Sequence, residues 1–178
     1  MSTILDQLAE HARQRVAADQ ANIPLSVLKL CCEQGEAPKR EPFAFEAALK
    51  KPGLSFICEV KKASPSKGVI SQDFPYLEIA RDYEAAGADC ISCLTEPKWF
   101  LGSDEIFSQI RAAVTIPMLR KDFTVDEYQI YQAKCMGAGA VLLICAILDA
   151  PSIRRYIALC DRLGMSALVE AHDAAELA

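Results

Sequence analysis

The chain has 178 residues, 52% of them hydrophobic, and a formal net charge of −5 at pH 7. This length and apolar content predict one globular domain with a sizeable core, and the acidic balance argues against a general nucleic-acid binder, which is normally basic. No apolar run approaches the roughly 18 residues of a membrane span. The first residues lack the basic start and apolar core of a signal peptide, so we expect a cytoplasmic protein.

Residues 1–53 are predicted to form a helical extension that packs on the rest of the chain. Apolar side chains recur there at helical spacing, with polar breaks between the stretches, and Pro52-Gly53 ends the region. The predicted segments are a helix containing Ile4, Leu5, Leu8 and Ala12, a second containing Leu25, Leu28, Leu30 and Cys31, a charged loop over Gln34–Glu41, and a short helix over Phe45–Lys50.

Residues 54–178 alternate between strand-like apolar runs and amphipathic helices, and are predicted to form a second, α/β region. Repeated β-α units joined by short turns indicate a parallel sheet. The predicted strands are Ser55–Lys61, Cys90–Thr95, Met118–Lys121, Val141–Cys145 and Ala167–Glu170.

Capping residues set the predicted ends of the intervening helices. Gly87 ends the first helix, Ser103 caps the second, and Asp149 followed by Pro151 opens the fourth, which Gly164 closes. For the third helix, the capping-box pattern Thr124-Val125-Asp126-Glu127 predicts Thr124 as the cap.

Doubly wound sheets and (β/α)₈ barrels both fit this alternation of predicted strands and helices. A G-x-G-x-x-G fingerprint, which a dinucleotide-binding sheet would carry after its first strand, is absent. Charged residues instead follow several strands, at Lys61, Glu96, Lys121 and Glu170. Functional side chains of a barrel lie at the C-terminal ends of its strands, so a barrel is favoured.

Five predicted strands are fewer than the eight of a complete barrel, which takes roughly 250 residues. The chain therefore covers about the first five βα units, and Asp173–Glu176 is predicted to open a fifth crossover helix. An open sheet leaves its first and last strands unpaired, which predicts self-association through those edges.

Glu59 and Lys61 interrupt an apolar run at positions i and i+2, so both side chains point to the same side of the strand. A buried charge costs several kcal/mol unless it is paired or used. The pair, followed by Ser-Pro-Ser-Lys-Gly, indicates a site; a structural ion pair is the alternative. Lys121 could equally be a surface lysine, and a glutamate after an apolar run, as at Glu170, is common.

Eight cysteines are present, and no metal site is predicted among them. Cys90 and Cys93 have C-x-x-C spacing, but no second pair and no nearby histidine complete a zinc site, and in a strand the two side chains face opposite ways. The cysteines are interpreted as free thiols that act as small hydrophobic side chains.

Together these motifs resemble the indole-3-glycerol phosphate synthase family of tryptophan biosynthesis. The resemblance runs along the whole chain in order. It rests on Glu59-Val60-Lys61-Lys62-Ala63-Ser64-Pro65-Ser66-Lys67-Gly68, Leu94-Thr95-Glu96 with Phe100-Leu101-Gly102-Ser103, Arg120-Lys121-Asp122-Phe123, Val141-Leu142-Leu143-Ile144, and Leu168-Val169-Glu170.

The resemblance implies a (β/α)₈ barrel with an N-terminal helical extension, acting without a cofactor on a small phosphorylated substrate. The implied enzyme is a carboxy-lyase that closes the indole ring of 1-(2-carboxyphenylamino)-1-deoxyribulose 5-phosphate with loss of carbon dioxide and water. The implied catalytic residues are Lys121 as general acid, Glu170 as base, Lys61 as second proton donor and Glu59 as its partner, and the implied substrate-binding residues are Ser64, Phe100, Phe123 and Leu142.

Two alternatives stay open from the sequence. One is that residues 1–178 form an inactive, self-associating fragment of such an enzyme, because the strands expected to grip the phosphate are the later ones of the barrel. The other is a sister barrel that acts on a different ribose or ribulose phosphate, whose first-strand motif should differ from Glu59-x-Lys61-x-x-Ser64.

Overall fold

A computed structural model describes residues 3–35, 37–38 and 40–176. The extension contains three helices, α1 (Ile4–Asn22), α2 (Leu25–Glu33) and α3 (Ala44–Leu49). α1 begins at a capping box in which the Thr3 side chain accepts from the backbone of Asp6, and the Asp6 side chain accepts from the backbone of Thr3. The three predicted helices are confirmed. The predicted charged loop includes residues 36 and 39, which lie outside the described residues.

Five parallel strands form one sheet, and their order in space follows their order in the chain. A separate two-stranded antiparallel hairpin, β2 (Ala63–Ser64) with β3 (Gly68–Val69), follows the first strand. The parallel sheet has the order β1-β4-β5-β6-β7, with strands β1 (Ile57–Val60), β4 (Cys90–Leu94), β5 (Met118–Lys121), β6 (Ala140–Ile144) and β7 (Ser166–Glu170). A doubly wound sheet would reverse its strand order at a switch point, so this order indicates the barrel.

The helices that connect these strands all pack on one face of the sheet. Outward side chains such as Ile91, Met118 and Leu143 form a single core cluster with the apolar faces of the four helices. Helices on one face only, with strands in sequential order, describe the first five units of a (β/α)₈ barrel. These helices are α4 (Tyr76–Ala85), α5 (Asp104–Ala113), α6 (Glu127–Cys135) and α7 (Ala150–Leu163).

The opposite, inner face of the sheet is closed at its N-terminal end by α3. Phe45 of that helix is buried against Cys90, Leu119 and Ala140, which are inward residues near the starts of their strands. Packing at this end leaves the C-terminal ends of the strands open on the inner face, where a ligand can enter. Among the described residues, no helix combines the length and apolar character needed to cross a membrane.

Most predicted helix ends are confirmed. The Ser103 side chain accepts from the Ile106 N–H at 3.0 Å, the Asp149 side chain accepts from the Ser152 N–H at 2.8 Å, and Gly164 adopts a left-handed conformation with φ of 65°. A left-handed residue after the last turn favours glycine because it carries no Cβ.

One predicted cap is wrong. The third helix of the α/β region begins at Asp126, whose carboxylate accepts from the Tyr128 N–H at 2.8 Å, and not at Thr124. A capping box at Thr124 would need the Glu127 carboxylate to accept from the Thr124 N–H, but that carboxylate accepts from Lys29 of α2 at 3.0 Å.

Strand ends also differ from the prediction. β1 begins at Ile57 rather than Ser55, and Cys145 opens a short 3₁₀ helix instead of ending β6. Residues 174–176 form a turn in which the Asp173 carboxylate accepts from the N–H groups of Ala175 and Glu176 at 2.8 and 2.9 Å, as a helix N-cap does; the predicted fifth crossover helix itself lies outside the described residues.

Candidate active site

A cavity of about 390 Å³ lies on the inner face, at the C-terminal ends of the strands. It collects charged and apolar side chains from every strand of the parallel sheet. Seven of the eight residues predicted for the site line it: Glu59, Lys61, Phe100, Lys121, Phe123, Leu142 and Glu170. Its further lining residues are Leu5, Leu94, Asp122, Ile144 and His172.

Glu59 and Lys61 form an ion pair on the inner face of β1. Val60 between them points to the helix-covered face and is buried in the core, as strand alternation requires. The predicted same-side placement is confirmed. The pair is half-buried, with side-chain exposures of 29% and 30%, because β1 has a neighbour on one side only among the described residues.

Lys121 is the last residue of β5, and it faces the cavity. It pairs in register with Leu94 of β4, so that central strand supports its backbone. The preceding Arg120 points to the other face, where its guanidinium donates to Asp104 at 2.8 Å and to the Gln129 carbonyl at 3.2 Å. The alternative of a surface lysine does not apply to Lys121, because its side chain lines the cavity.

Glu170 ends β7 and lies in register with Ile144 of β6. His172, two residues later, approaches it, with 3.3 Å between Nε2 and the carboxylate, while Nδ1 lies 3.6 Å from Glu176. His172 was not predicted as a site residue. The signal available was its spacing, since a side chain two positions beyond Glu170 can reach the same side of an extended chain.

An apolar wall completes the cavity. The rings of Phe100 and Phe123 lie 6.1 Å apart at an interplanar angle of 41°, and Leu142 contributes from the inner face of β6. Such a wall suits a flat aromatic group, which prefers offset or tilted contacts with other rings. Leu5 reaches the same cavity from α1, a contact that the sequence did not predict.

Ser64 is the predicted site residue that does not line the cavity. It lies in the β2–β3 hairpin, where its hydroxyl accepts from the Lys67 N–H at 3.3 Å and lies 3.5 Å from the Ser66 hydroxyl. The hairpin follows β1 directly, so it borders the same mouth of the sheet. A phosphate-binding role for Ser64 stays a prediction.

Glu96 follows a strand like the catalytic candidates but does not line the cavity. Its carboxylate is fully buried and accepts from the backbone N–H groups of Trp99 at 2.7 Å and Phe100 at 3.1 Å. His11 of α1 contacts it at 3.0 Å. These contacts hold the loop that carries Phe100, so Glu96 supports the apolar wall.

Asp122 is a buried carboxylate that the sequence did not single out. It accepts two hydrogen bonds from Arg15, at 2.6 and 3.0 Å, and one from the Thr95 hydroxyl at 2.6 Å. Burial alone would raise the pKa of Asp122, but the hydrogen bonds from Arg15 and the nearby Arg120 charge outweigh it and hold that pKa below its ordinary value.

None of the eight cysteines forms a disulfide bond in the described structure. Cys90 and Cys93 belong to different packing clusters on opposite faces of the sheet, which confirms that the C-x-x-C spacing does not bring them together. Burial raises the pKa of both thiols to about 12. Within the part of the chain that the structure describes, no three His, Cys, Asp or Glu side chains are grouped as a metal ion would require.

The ammonium groups of Lys61 and Lys121 and the carboxylates of Glu59 and Glu170 thus face one cavity with an aromatic wall, which Asp122 also lines. A lysine can protonate a carbonyl oxygen and attract an anion, and a carboxylate can remove a proton. Although the protein has a net charge of −5, the two lysines give an anionic ligand cationic groups to contact in this cavity. The arrangement suits acid-base chemistry on an aromatic anion.

Comparison with known proteins places this chain in a family. The model of the family described as indole-3-glycerol phosphate synthase matches residues 5–178. Indole-3-glycerol phosphate synthase of Ruminiclostridium cellulolyticum is 53% identical over 174 residues, which are 98% of this chain and 66% of that protein. That of Lachnoclostridium phytofermentans is 43% identical over 183 residues, covering 98% of this chain and 68% of that one.

The chain spans about two thirds of the length of these curated relatives. Similar solved structures include a mandelate oxidase mutant with a monooxide FMN adduct, which is 15% identical with a TM-score of 0.46, covering 71% of this chain and 51% of that one. A structural likeness this distant adds no argument. The family match along nearly the whole chain, and the relatives' identity, show that the chain belongs to the indole-3-glycerol phosphate synthase family.

Proposed function

We propose that the cavity is the active site of an indole-3-glycerol phosphate synthase. The reaction converts 1-(2-carboxyphenylamino)-1-deoxyribulose 5-phosphate to indole-3-glycerol phosphate, carbon dioxide and water. The observation that carries the proposal is that Glu59, Lys61, Lys121 and Glu170 line one cavity together with aromatic side chains. A small phosphorylated substrate, no cofactor, no nucleic acid and a cytoplasmic location complete the proposal.

Lys121 is the general acid of ring closure. The aromatic carbon that bears the carboxylate attacks the ketone carbon of the ribulose arm, and the ketone oxygen becomes a hydroxyl by taking a proton from the Lys121 ammonium. Pairing of Lys121 with Leu94 of the neighbouring β4 gives this side chain a fixed origin. Orientation matters here because ring closure requires a flexible substrate to hold its two arms together.

Lys61 acts as the second proton donor and pairs with anionic groups of the substrate. After carbon dioxide leaves with its bonding electrons returned to the ring, the new hydroxyl departs as water when it is protonated. The ion pair with Glu59 positions Lys61 for this step, and Glu59 assists dehydration. Glu170 removes the proton that restores the aromatic indole.

Phe100, Phe123 and Leu142 hold the anthranilate ring against the apolar wall. Their presence in the lining of the same cavity, with the two rings in tilted contact, supports this role. Ser64 contributes to phosphate binding from the hairpin at the cavity mouth. In barrels of this kind the phosphate is usually held by the loops after the seventh and eighth strands, whereas the parallel sheet of the described residues has five strands.

We also propose that a polypeptide of residues 1–178 alone self-associates. β1 and β7 each have one strand neighbour among the described residues. Apolar side chains on and beside these strands are exposed, including Phe56, Ile57, Leu168 and Val169. Unpaired strand edges with exposed apolar residues favour pairing with another chain.

The test uses the full-length gene product that contains residues 1–178, called the full-length protein below. It should release indole-3-glycerol phosphate from the carboxyphenylamino substrate, followed by indole fluorescence. Lys61→Ala should lose activity, whereas Lys62→Ala, at the next position and outside the cavity lining, should keep it. A folded full-length protein without turnover would refute the proposal.

A further inference from the structure

α1 of the N-terminal extension contacts the candidate site at two points. Leu5, in its first turn, lines the cavity directly. Arg15, nearly three turns later, reaches the loop that follows β5 and contacts Asp122. One rigid helix therefore forms part of the cavity wall and also holds the segment that carries Lys121.

The contact between Arg15 and Asp122 is bidentate and largely removed from solvent. Nη1 lies 3.0 Å from one carboxylate oxygen and Nη2 lies 2.6 Å from the other, and the side-chain exposures are 21% for Arg15 and 2% for Asp122. Parallel hydrogen bonds of this kind fix an orientation as well as a distance, because the guanidinium is planar.

Asp122 uses its remaining hydrogen-bonding capacity on the site loops. One oxygen accepts from the Thr95 hydroxyl at 2.6 Å, and the other accepts from the Phe123 N–H at 2.8 Å. The Thr95 N–H in turn donates to the Lys121 carbonyl at 3.1 Å. The backbone on both sides of Asp122 is thus tied to the carboxylate that Arg15 holds.

This placement matters because Asp122 lies between two cavity-lining residues, Lys121 and Phe123. β5 ends at Lys121, so the strand ladder no longer restrains the chain beyond it. Loss of Arg15 would leave the buried Asp122 carboxylate without its main partner. Asp122 lines the same cavity as the Lys121 ammonium. The carboxylate would then compete with substrate for that cation.

We propose that Arg15 is a positioning residue: through Asp122 it sets the orientation of Lys121 and Phe123 for ring closure. The inference rests on the proposed function of Lys121 and adds a residue from the extension to it. Arg15 does not line the cavity, so it acts without touching substrate.

The test compares Arg15→Ala, Arg15→Lys and Arg13→Ala in the full-length protein. Arg13 is the matched control, because it lies on the same helix but pairs with Glu10 at the surface, where both side chains are more than half exposed. We expect Arg15→Ala to lower kcat by about 10- to 100-fold, the range for a displaced catalytic group, with a smaller change in KM. Arg13→Ala should leave kcat within about twofold of the unaltered protein.

Two further measurements separate positioning from simple loss of stability. Arg15→Lys should fall between the unaltered protein and Arg15→Ala, because one ammonium cannot span both carboxylate oxygens. Millimolar guanidinium should restore part of kcat to Arg15→Ala and none to Lys121→Ala. Thermal unfolding followed by circular dichroism identifies variants that fail to fold, and in that event Arg15→Lys alone decides.

The inference is overturned when Arg15→Ala has the same kcat as Arg13→Ala. If Arg15→Ala is unfolded, the same comparison is made with Arg15→Lys. A folded Arg15→Ala with lowered kcat that guanidinium does not raise would also overturn it. An unaltered full-length protein without turnover is a different result, since it removes the proposed function and the inference with it.

Discussion

The central and the outer strands of the sheet carry the same kinds of site residue in different surroundings. β4 and β6 are buried along their whole length, and β5, which lies between them, places Lys121 at its end. β1 carries Glu59 and is followed directly by Lys61, β7 carries Glu170, and several side chains of these two strands are exposed.

The candidate site therefore takes residues from one strand that has neighbours on both sides and from two strands that have one neighbour each among the described residues. Lys121 ends a strand that has neighbours on both sides, and the buried Asp122 carboxylate follows it in the chain. The residues of β1 and β7 depend on whatever pairs with the outer edges of those strands. The proposed reaction, which uses all four groups, therefore depends on how the outer edges of β1 and β7 are paired.

The largest expected effect is the loss of turnover when the outer edges of β1 and β7 are left unpaired. The isolated polypeptide of residues 1–178 should show turnover many orders of magnitude below that of the full-length protein and should self-associate, as measured by fluorescence assay and light scattering. Each lost charge-assisted hydrogen bond to phosphate removes about 1.5–3 kcal/mol of binding. Adding a separately made C-terminal third of a relative should restore some turnover. A monomeric and fully active 178-residue chain would contradict the comparison.

At the centre, Lys121→Ala in the full-length protein should lower kcat by about 10²–10⁴-fold, the usual loss for one proton-transfer group. The free energy of unfolding should change little, because the ammonium faces the cavity rather than the core. Steady-state kinetics and urea unfolding on the same preparation measure both quantities. Near-normal kcat would remove Lys121 from the mechanism.

Paired truncations measure the difference in support between the strands. Met118→Ala in β5 removes a fully buried side chain and should lower the free energy of unfolding by about 2–5 kcal/mol. Leu168→Ala in β7, where the side chain is 38% exposed, should lower it by less than about 1 kcal/mol. Urea unfolding of the 178-residue polypeptide at low concentration tests this. Equal losses would mean that β7 is as well packed as β5.

The ion pair on β1 should show coupling. A double-mutant cycle of Glu59→Ala and Lys61→Ala in the full-length protein should give an interaction free energy of about 0.5–3 kcal/mol in kcat/KM, because the two side chains are in contact. Lys61→Ala should also weaken substrate binding, since its charge attracts the anionic substrate. Strict additivity would show that the pair does not act as a unit.

The smallest expected effect is a pH dependence at Asp122. Its pKa in the folded protein lies below the ordinary value, so its contribution to stability is present above about pH 4 and is lost as the pH falls through the folded pKa. Asp122→Asn should therefore flatten the acid-side slope of the free energy of unfolding by at most about 1.4 kcal/mol per pH unit. The exposed Asp73→Asn serves as control, and an unchanged slope in Asp122→Asn would contradict the assignment.

Local patterns predicted most of the elements because they depend on nearby residues. Alternation in β1 placed Glu59 and Lys61 on one side, and Ser103 and Asp149 were identified as caps from residues within three positions. The Thr124 cap failed because the Glu127 carboxylate that it needs pairs with Lys29, 98 positions away, and a local capping pattern contains no information on that partner.

Partners distant in sequence could not be predicted. Arg15 and Asp122 are 107 positions apart, and His11 and Glu96 are 85 apart. Neither pair has a spacing that a helix or strand period would reveal. As a result, the sequence alone made Glu96 resemble a strand-end site residue, and it gave no indication that Asp122, next to Lys121, is a buried and paired carboxylate.

The sequence by itself determined the order of the βα units and the side of each strand on which its charged residues lie, because both follow from a period of two or 3.6 residues. Only the tertiary structure decided which strand-end carboxylates are available to a substrate. Glu59 and Glu170 line the cavity, whereas Glu96 is fully engaged by backbone donors and His11. The physical reason is that a carboxylate's role depends on which donors surround it, and those donors come from segments that meet only when the chain folds.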